Sequence, residues 1–251
     1  MSLFDLSGKT AIVTGGNGGI GLGMALGLAE AGASVAVVGR DAEKTRRAAA
    51  EIEEKTGSKA LAVVADLCKP EDVERAVAEA GGRFGRIDAL FNNAGINIRR
   101  APQDFTLEEW NEVMNANVTS AFLASQAVYP WMKRQGGGKI VNTGSMTSVL
   151  GSSFAAAYAT SKGAIVQLTK SLALAWAADD IQVNAILPGW FDTEMTIAAR
   201  QQVPGVLSRI AKGRWAKPAD MAGAAVFLAS PASDYITGVA LPVDGGYLAT
   251  L

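Results

Sequence analysis

The chain of 251 residues contains no histidine and only one cysteine. The first absence removes the side chain that most often moves protons near neutral pH. Any acid–base chemistry therefore falls to Tyr, Lys, Asp, Glu, Cys or a metal-bound water. The second absence excludes an intrachain disulfide and points to a reducing, cytoplasmic location. Together they leave no usual set of zinc ligands, and no metal is expected. No apolar run approaches the about 20 residues that a membrane-crossing helix needs. The N-terminus carries Asp5 and Lys9 and lacks the basic-then-apolar pattern of a signal peptide. A net charge of −1 gives no reason to expect nucleic acid or an acidic membrane as partner. A small-molecule substrate is the class of partner that remains.

What is present is an apolar fraction of 49% with 19% charged residues, enough to fill the core of a globular α/β protein. Short apolar, β-branched runs at 10–14, 34–38, 60–64, 87–91, 139–142, 182–186 and 239–243 alternate with helix-length segments. Those segments are 20–31, 42–55, 70–84, 107–134, 154–178 and 218–228. Continuous apolar strands separated by helices argue for a parallel sheet covered on both faces. No linker or repeat divides the chain. The expectation is a single domain over 1–251, a Rossmann-type, doubly wound parallel sheet of about seven strands with helices on both faces. Residues 187–217 form the one long connection, with the character of a substrate lid.

Directly after the first strand comes Thr14-Gly15-Gly16-Asn17-Gly18-Gly19-Ile20-Gly21, opening into an apolar helix. Glycines let the backbone approach a ligand closely, and a helix N-terminus offers unpaired N–H groups to a pyrophosphate. Between strand one and helix one of a βαβ series, this is the context of dinucleotide binding. At the end of the second strand an acidic residue would hold the adenine ribose 2′-hydroxyl of NAD(H). Gly39 stands there instead, followed by Arg40, whose guanidinium suits a 2′-phosphate. NADP(H) is therefore expected over NAD(H), the alternatives being that Asp41 offsets Arg40 or that Arg40 is simply solvated.

Tyr158 and Lys162 stand four residues apart, on one face if the segment is helical. An adjacent cation favours the ionised form of a phenol, so the pair can act as general acid or base. With Asn92-Asn93-Ala94-Gly95 after strand four, Asn117 on a helix, Ser145 after strand five, and Pro188-Gly189 with Thr193 after strand six, the chain resembles the short-chain dehydrogenase/reductase family along essentially its whole length. The glycine cluster matches that family's pattern at Thr14, Gly15, Gly19 and Gly21.

The resemblance implies a catalytic set of Asn117, Ser145, Tyr158 and Lys162. Tyr158 would exchange a proton with the reacting oxygen, and Ser145 would orient that oxygen. Lys162 would hold the nicotinamide ribose and, with the oxidised ring's charge, lower the tyrosine pKa. Asn117 would fix a relay water. The implied cofactor contacts are Gly15, Asn17, Gly19, Ile20, Gly21, Arg40, Asp66, Leu67, Asn93, Gly95, Tyr158, Lys162, Pro188, Gly189 and Thr193. Ser148, Ser152 and Ser153 follow the same strand, but Ser145 stands thirteen positions before Tyr158, the common spacing of the family. Cys68 reads as a buried or half-buried bystander, and Trp110, Trp131 and Trp176 as packing residues.

For substrate, the segments 96–100 and 211–215 resemble those of sugar-acid dehydrogenases acting on gluconate, 2-deoxygluconate or 2-keto-3-deoxygluconate. Asn97, Arg99, Met146 and Trp190 are the candidate substrate contacts, an arginine being a natural partner for a carboxylate. Arg99 and Arg100 equally suit surface ion pairs. Against the sugar acids, such enzymes commonly carry a pocket histidine, and Trp190, Phe191 and Met146 would suit an apolar ketone. A broad ketone or ketoacyl reductase is thus the second reading, and a catalytically idle dinucleotide sensor the third. The resemblance also implies a homotetramer built on the helices carrying Asn117 and Tyr158. Alanines 155–157, 173, 175 and 177 on the Tyr158 helix suit such close packing or the subunit's own core.

Overall fold

The computed structural model describes residues 3–197 and 205–250. Seven strands form one parallel sheet: β1 (Thr10–Thr14), β2 (Ser34–Gly39), β3 (Ala60–Val64), β4 (Ala89–Asn92), β5 (Gly138–Thr143), β6 (Ile181–Pro188) and β7 (Ala240–Val243). Their order is β3-β2-β1-β4-β5-β6-β7. The helices are α1 (Gly19–Glu30), α2 (Ala42–Thr56), α3 (Pro70–Phe84), α4 (Leu107–Met114), α5 (Ser120–Arg134), α6 (Ala156–Trp176) and α7 (Ala222–Ala229).

The period-two alternation of a strand divides its side chains between two cores. Ala11, Val13, Val35 and Val37 face α1, α2 and α7, where Met24, Leu28, Ile52 and Leu228 complete one cluster. Ile12, Ala36 and Val38 face α3, α5 and α6, against Val73, Val77, Val128, Met132 and Leu172. Both faces are covered, so the central strands are buried apart from the first residues of β2 and β5, Ser34 and Gly138, while the edge strands β3 and β7 are largely half-buried.

The chain leaves β1 toward one edge and returns through β4 toward the other. The C-terminal ends of β1 and β4 therefore diverge, which opens the crevice where α/β sheets bind ligands. The loops at this point are joined directly. Gly15 N donates to Val38 O at 2.8 Å, and the Asn93 amide donates to Thr14 O at 3.1 Å and Gly15 O at 3.2 Å.

The elements differ from the sequence expectation in two places that bear on function. The helix expected over 107–134 is broken by a π turn, Asn115–Thr119, between α4 and α5. Such turns widen the helix locally and recur at functional sites. The long connection 187–217 is not structureless: a 3₁₀ turn spans Glu194–Thr196, a helical turn spans Val206–Arg209, and Phe191 bridges Ala216. Residues 198–204 of the expected lid lie outside the described residues. Among the described residues, no helix is long and apolar enough to cross a membrane.

Candidate active site

Above the β1–β4 crevice runs a two-lobed cleft. One lobe, of about 360 Å³, is lined by Arg40, Asp66, Leu67 and Cys68. The other, of about 340 Å³, is lined by Ile20, Asn93, Ser145, Tyr158, Lys162, Pro188, Gly189 and Thr193. Gly15, Asn17, Lys44, Ala94 and Gly95 line both. The glycine loop forms the floor between them. Gly15 and Gly19 have φ of 61° and 51°, the left-handed region that only glycine enters freely. Gly21 does not line the cleft. A Cβ there would lie 2.2 Å from Gly15 O, so its role is to let α1 pack under the loop.

At the first lobe the region past β2 has a specific construction. A Cβ on Gly39 would fall 2.3 Å from the Asn17 amide nitrogen. That amide donates to Thr45 Oγ1 at 3.0 Å, and Thr45 donates to Asp41 O at 2.6 Å. Asn17 thus occupies the space that an acidic side chain at 39 would need. Arg40 is exposed on the rim. Cys68 is also exposed there, not buried or half-buried as expected. It sits on the turn after β3, where its N–H donates to Asp66 Oδ1, and it is one of the residues lining the lobe. Partial burial and the Asp66 carboxylate push its thiol above the usual range, which makes it a poor nucleophile.

At the second lobe Tyr158 and Lys162 share one face of α6, and the ammonium lies 5.5 Å from the centre of the phenol ring. Lys162 Nζ is buried and donates to Thr143 O at 2.7 Å. Tyr158 and Ser145 line this lobe together. Ser145 is in turn held as the cap of a short 3₁₀ turn: its Oγ accepts from Thr147 N, and its N–H donates to Ser148 Oγ. Ser148 Oγ donates onward to Lys162 O at 2.7 Å. Ser148, a competitor of Ser145 by sequence, is therefore the brace that ties Ser145 to α6.

Burial disfavours a charge on either group. It pushes Tyr158 above the ordinary phenol range, opposed by the nearby Ser145 hydroxyl. It lowers Lys162 to about 8. The lowered tyrosine pKa expected from Lys162 together with the oxidised ring belongs to the cofactor-bound site; in the chain itself desolvation is the largest effect, and the ammonium lies by the ring, bonded to Thr143 O.

Asn117 sits in the π turn under Gly95, and its side chain is fully engaged. Oδ1 accepts from Ile96 N at 2.8 Å, while Nδ2 donates to Ile96 O at 3.0 Å and Ser161 Oγ at 2.9 Å. A water held by this residue would have to meet its main chain, because the side chain already clamps the 95–97 loop to α6. Asn117→Ala is expected to lower the unfolding free energy by about 1–3 kcal/mol, since it strands two partly buried backbone groups of Ile96. Denaturant titration measures this.

None of the substrate candidates Asn97, Arg99, Met146 and Trp190 is among the cleft-lining residues. Met146 joins Val206, Ile210 and Tyr247 in a small cluster against which Trp190 and Trp215 pack. Asn97 Oδ1, Trp190 Nε1 and Thr147 Oγ1 are buried without a hydrogen-bond partner among the described residues. Thr147 was not singled out by sequence, where a threonine beside a methionine carries no signal. Arg99 is exposed and not among the cleft-lining residues, and Arg100 pairs with Glu109 at 2.7 Å. Lys44 and Glu194 also escaped sequence reading; their ion pair at 2.8 Å joins α2 to the segment after β6.

A family model described as enoyl-(acyl carrier protein) reductase matches residues 15–248. The 2-dehydro-3-deoxy-D-gluconate 5-dehydrogenase of Escherichia coli is 42% identical over 255 residues, covering 99% of each chain. The gluconate 5-dehydrogenase of Gluconobacter oxydans is 42% identical, covering 99% of this chain and 98% of its own. The crystal structure of a gluconate 5-dehydrogenase from Burkholderia cenocepacia, in complex with NADP and tartrate, has a TM-score of 0.93 at 38% identity. It covers 99% of this chain and 98% of that one.

Proposed function

The chain belongs to the short-chain dehydrogenase/reductase family, and from that premise we propose that it interconverts a secondary alcohol and a ketone of a sugar acid, using NADP(H). The observation that carries this reading is the cleft itself. Arg40 stands at one end, a glycine floor runs between, and a Tyr158–Ser145 pair backed by Lys162 closes the other.

The residues fit a dinucleotide. The floor approaches as only glycine allows, and α1 begins without a side-chain cap or an acidic residue in its first turn, which leaves its N–H groups to a pyrophosphate. Arg40 would take the 2′-phosphate, Asp66 and Leu67 the adenine, Thr193 and Gly189 the nicotinamide end. A bound nicotinamide supplies the hydride. Tyr158 gives its proton to the ketone oxygen in reduction and removes one from the alcohol in oxidation. Ser145, pinned by Thr147 N–H and Ser148, hydrogen-bonds the same oxygen and sets its position. Lys162, protonated below pH about 8, holds the ribose and favours the phenolate electrostatically.

Asn97, Thr147 and Trp190 each bury a polar atom without a partner among the described residues but do not line the cleft, so the choice of a hydroxylated acid over an apolar ketone rests on the relatives. The relatives named for gluconate derivatives and the tartrate bound to one of them support a carboxylate. The reading includes a cytoplasmic homotetramer built on α5 and α6, where Phe122 and Leu174 are exposed. Comparing NADPH-linked turnover of keto-gluconates, polyols and cyclic ketones tests the substrate class; activity on apolar ketones alone would overturn it.

Arg40→Asp is expected to reverse the cofactor preference, lowering NADPH affinity by about ten- to a hundredfold, the size of one charge-assisted hydrogen bond. Parallel NADPH and NADH titrations check this, and an unchanged ratio would refute the role of Arg40. Gly39→Asp is not an equivalent change, because its side chain would displace Asn17 from Thr45.

A further inference from the structure

Lys44 lies in the first turn of α2, yet its side chain reaches back over the glycine loop. A Cβ on Gly18 would lie 3.0 Å from Lys44 Cε and 3.2 Å from Nζ. The same ammonium pairs with Glu194 Oε2 at 2.8 Å, across 150 positions of chain, and Lys44 lines both lobes of the cleft. Thr193, the neighbour of Glu194, meets the loop from the same side, 3.2 Å from where a Cβ on Gly19 would stand.

As a brace this pair would do little. The Glu194 side chain is 82% exposed, and solvent-exposed ion pairs contribute little to stability. Its position carries more meaning than its strength. The N-terminus of α2 offers no free charge to an anion, because the Asp41 carboxylate already accepts from Glu43 N and Lys44 N, both at 3.0 Å. The flexible lysine stem is therefore the cation that α2 presents to the floor of the cleft. A lysine ammonium acts as a mobile point charge that can change partners without a fixed geometry.

We propose that Lys44 is a second cationic ligand for a phosphate of the dinucleotide, and that Glu194 holds it over Gly18 until the phosphate replaces the carboxylate. This rests on the NADP(H) reading above. The carboxylate then competes with the cofactor in two ways: it occupies the ammonium, and it presents a like charge to the incoming phosphate. The two partners of one ion pair should consequently have opposite effects when neutralised.

The test is direct titration of the purified protein with NADPH and with NADH, followed by ligand fluorescence, in wild type, Lys44→Gln, Lys44→Arg and Glu194→Gln. Lys44→Gln is expected to weaken binding at least about tenfold, with Lys44→Arg recovering most of the loss. Glu194→Gln is expected to tighten binding by about threefold or more, less than a full charge-assisted bond. An equal loss for both cofactors in Lys44→Gln assigns the ammonium to the pyrophosphate. A loss confined to NADPH assigns it to the 2′-phosphate, and either supports the exchange. Wild-type binding that both neutral variants leave unchanged, or weaken alike, would overturn it and leave the pair a clasp between α2 and the 194–196 turn. A wild-type protein that binds neither cofactor would instead refute the cofactor reading, and this inference with it.

Discussion

Tyr158→Phe is expected to reduce kcat by about a hundred- to ten-thousandfold, the range of a lost general acid or base, while the NADPH dissociation constant changes by less than about twofold. The variant keeps the ring, and with it the packing that closes the second lobe, but removes the hydroxyl from the lobe it shares with Ser145. Ser145 keeps its anchors, Thr147 N–H and Ser148 Oγ, so the loss should appear in the chemical step alone. Steady-state rates with a fluorescence titration separate the two quantities. The pH dependence follows from the burial of the phenol, which raises its pKa. At neutral pH the protonated form dominates, as ketone reduction requires. Alcohol oxidation needs the phenolate, so its rate should climb with pH where reduction declines.

Lys162→Met should cost kcat about a hundredfold or more, and unlike Tyr158→Phe it should also weaken cofactor binding, because the ammonium serves both ribose and phenol. Burial holds this lysine at about 8 in place of 10.5. Below about 8 both folded and unfolded chains carry the proton; between about 8 and 10.5 the unfolded chain retains a proton that the folded chain has released. Wild-type stability relative to Lys162→Met is therefore expected to rise as pH increases through that window, and to fall back as pH drops through about 8. Reductive kcat/KM of the wild type should decline above about pH 8, as the free protein loses the ammonium, while the variant stays low with no such inflection. Chemical denaturation at several pH values and a pH–rate profile measure the two effects. A wild-type profile without that decline would refute the charged role of Lys162.

The sheet was legible in the sequence because parallel strands are buried on both faces and read as continuous apolar runs. Ala11 to Val13 and Val35 to Val38 are of this kind. The glycine floor was legible for a related reason: a backbone that enters the left-handed region at Gly15 and Gly19 leaves its mark in residue type. The π turn at Asn115–Thr119 was not, since nothing in Asn-Ala-Asn-Val-Thr distinguishes a widened turn from an α-helical one. Asn117 could be named by position while its side-chain work, clamping Ile96 to Ser161, depends on elements distant in sequence. Lys44 and Glu194 show the same limit for charge. On a helix whose next residues are Thr45, Arg46 and Arg47, one lysine reads as solvated surface, and only the folded chain brings it over Gly18. The exposure of Cys68 was missed because a lone cysteine carries no periodic partner to place it.

The central claim, that this cleft moves a hydride between NADP(H) and a sugar-acid carbon with Tyr158 handling the proton, is tested most directly by isotope transfer. The protein is given NADPH deuterated at the reactive nicotinamide carbon together with a keto-gluconate, and the product is analysed by mass spectrometry. The account predicts one deuterium on the newly formed carbinol carbon in the wild type and almost no product from Tyr158→Phe. Product without deuterium, or labelled product formed equally well by Tyr158→Phe, would contradict it.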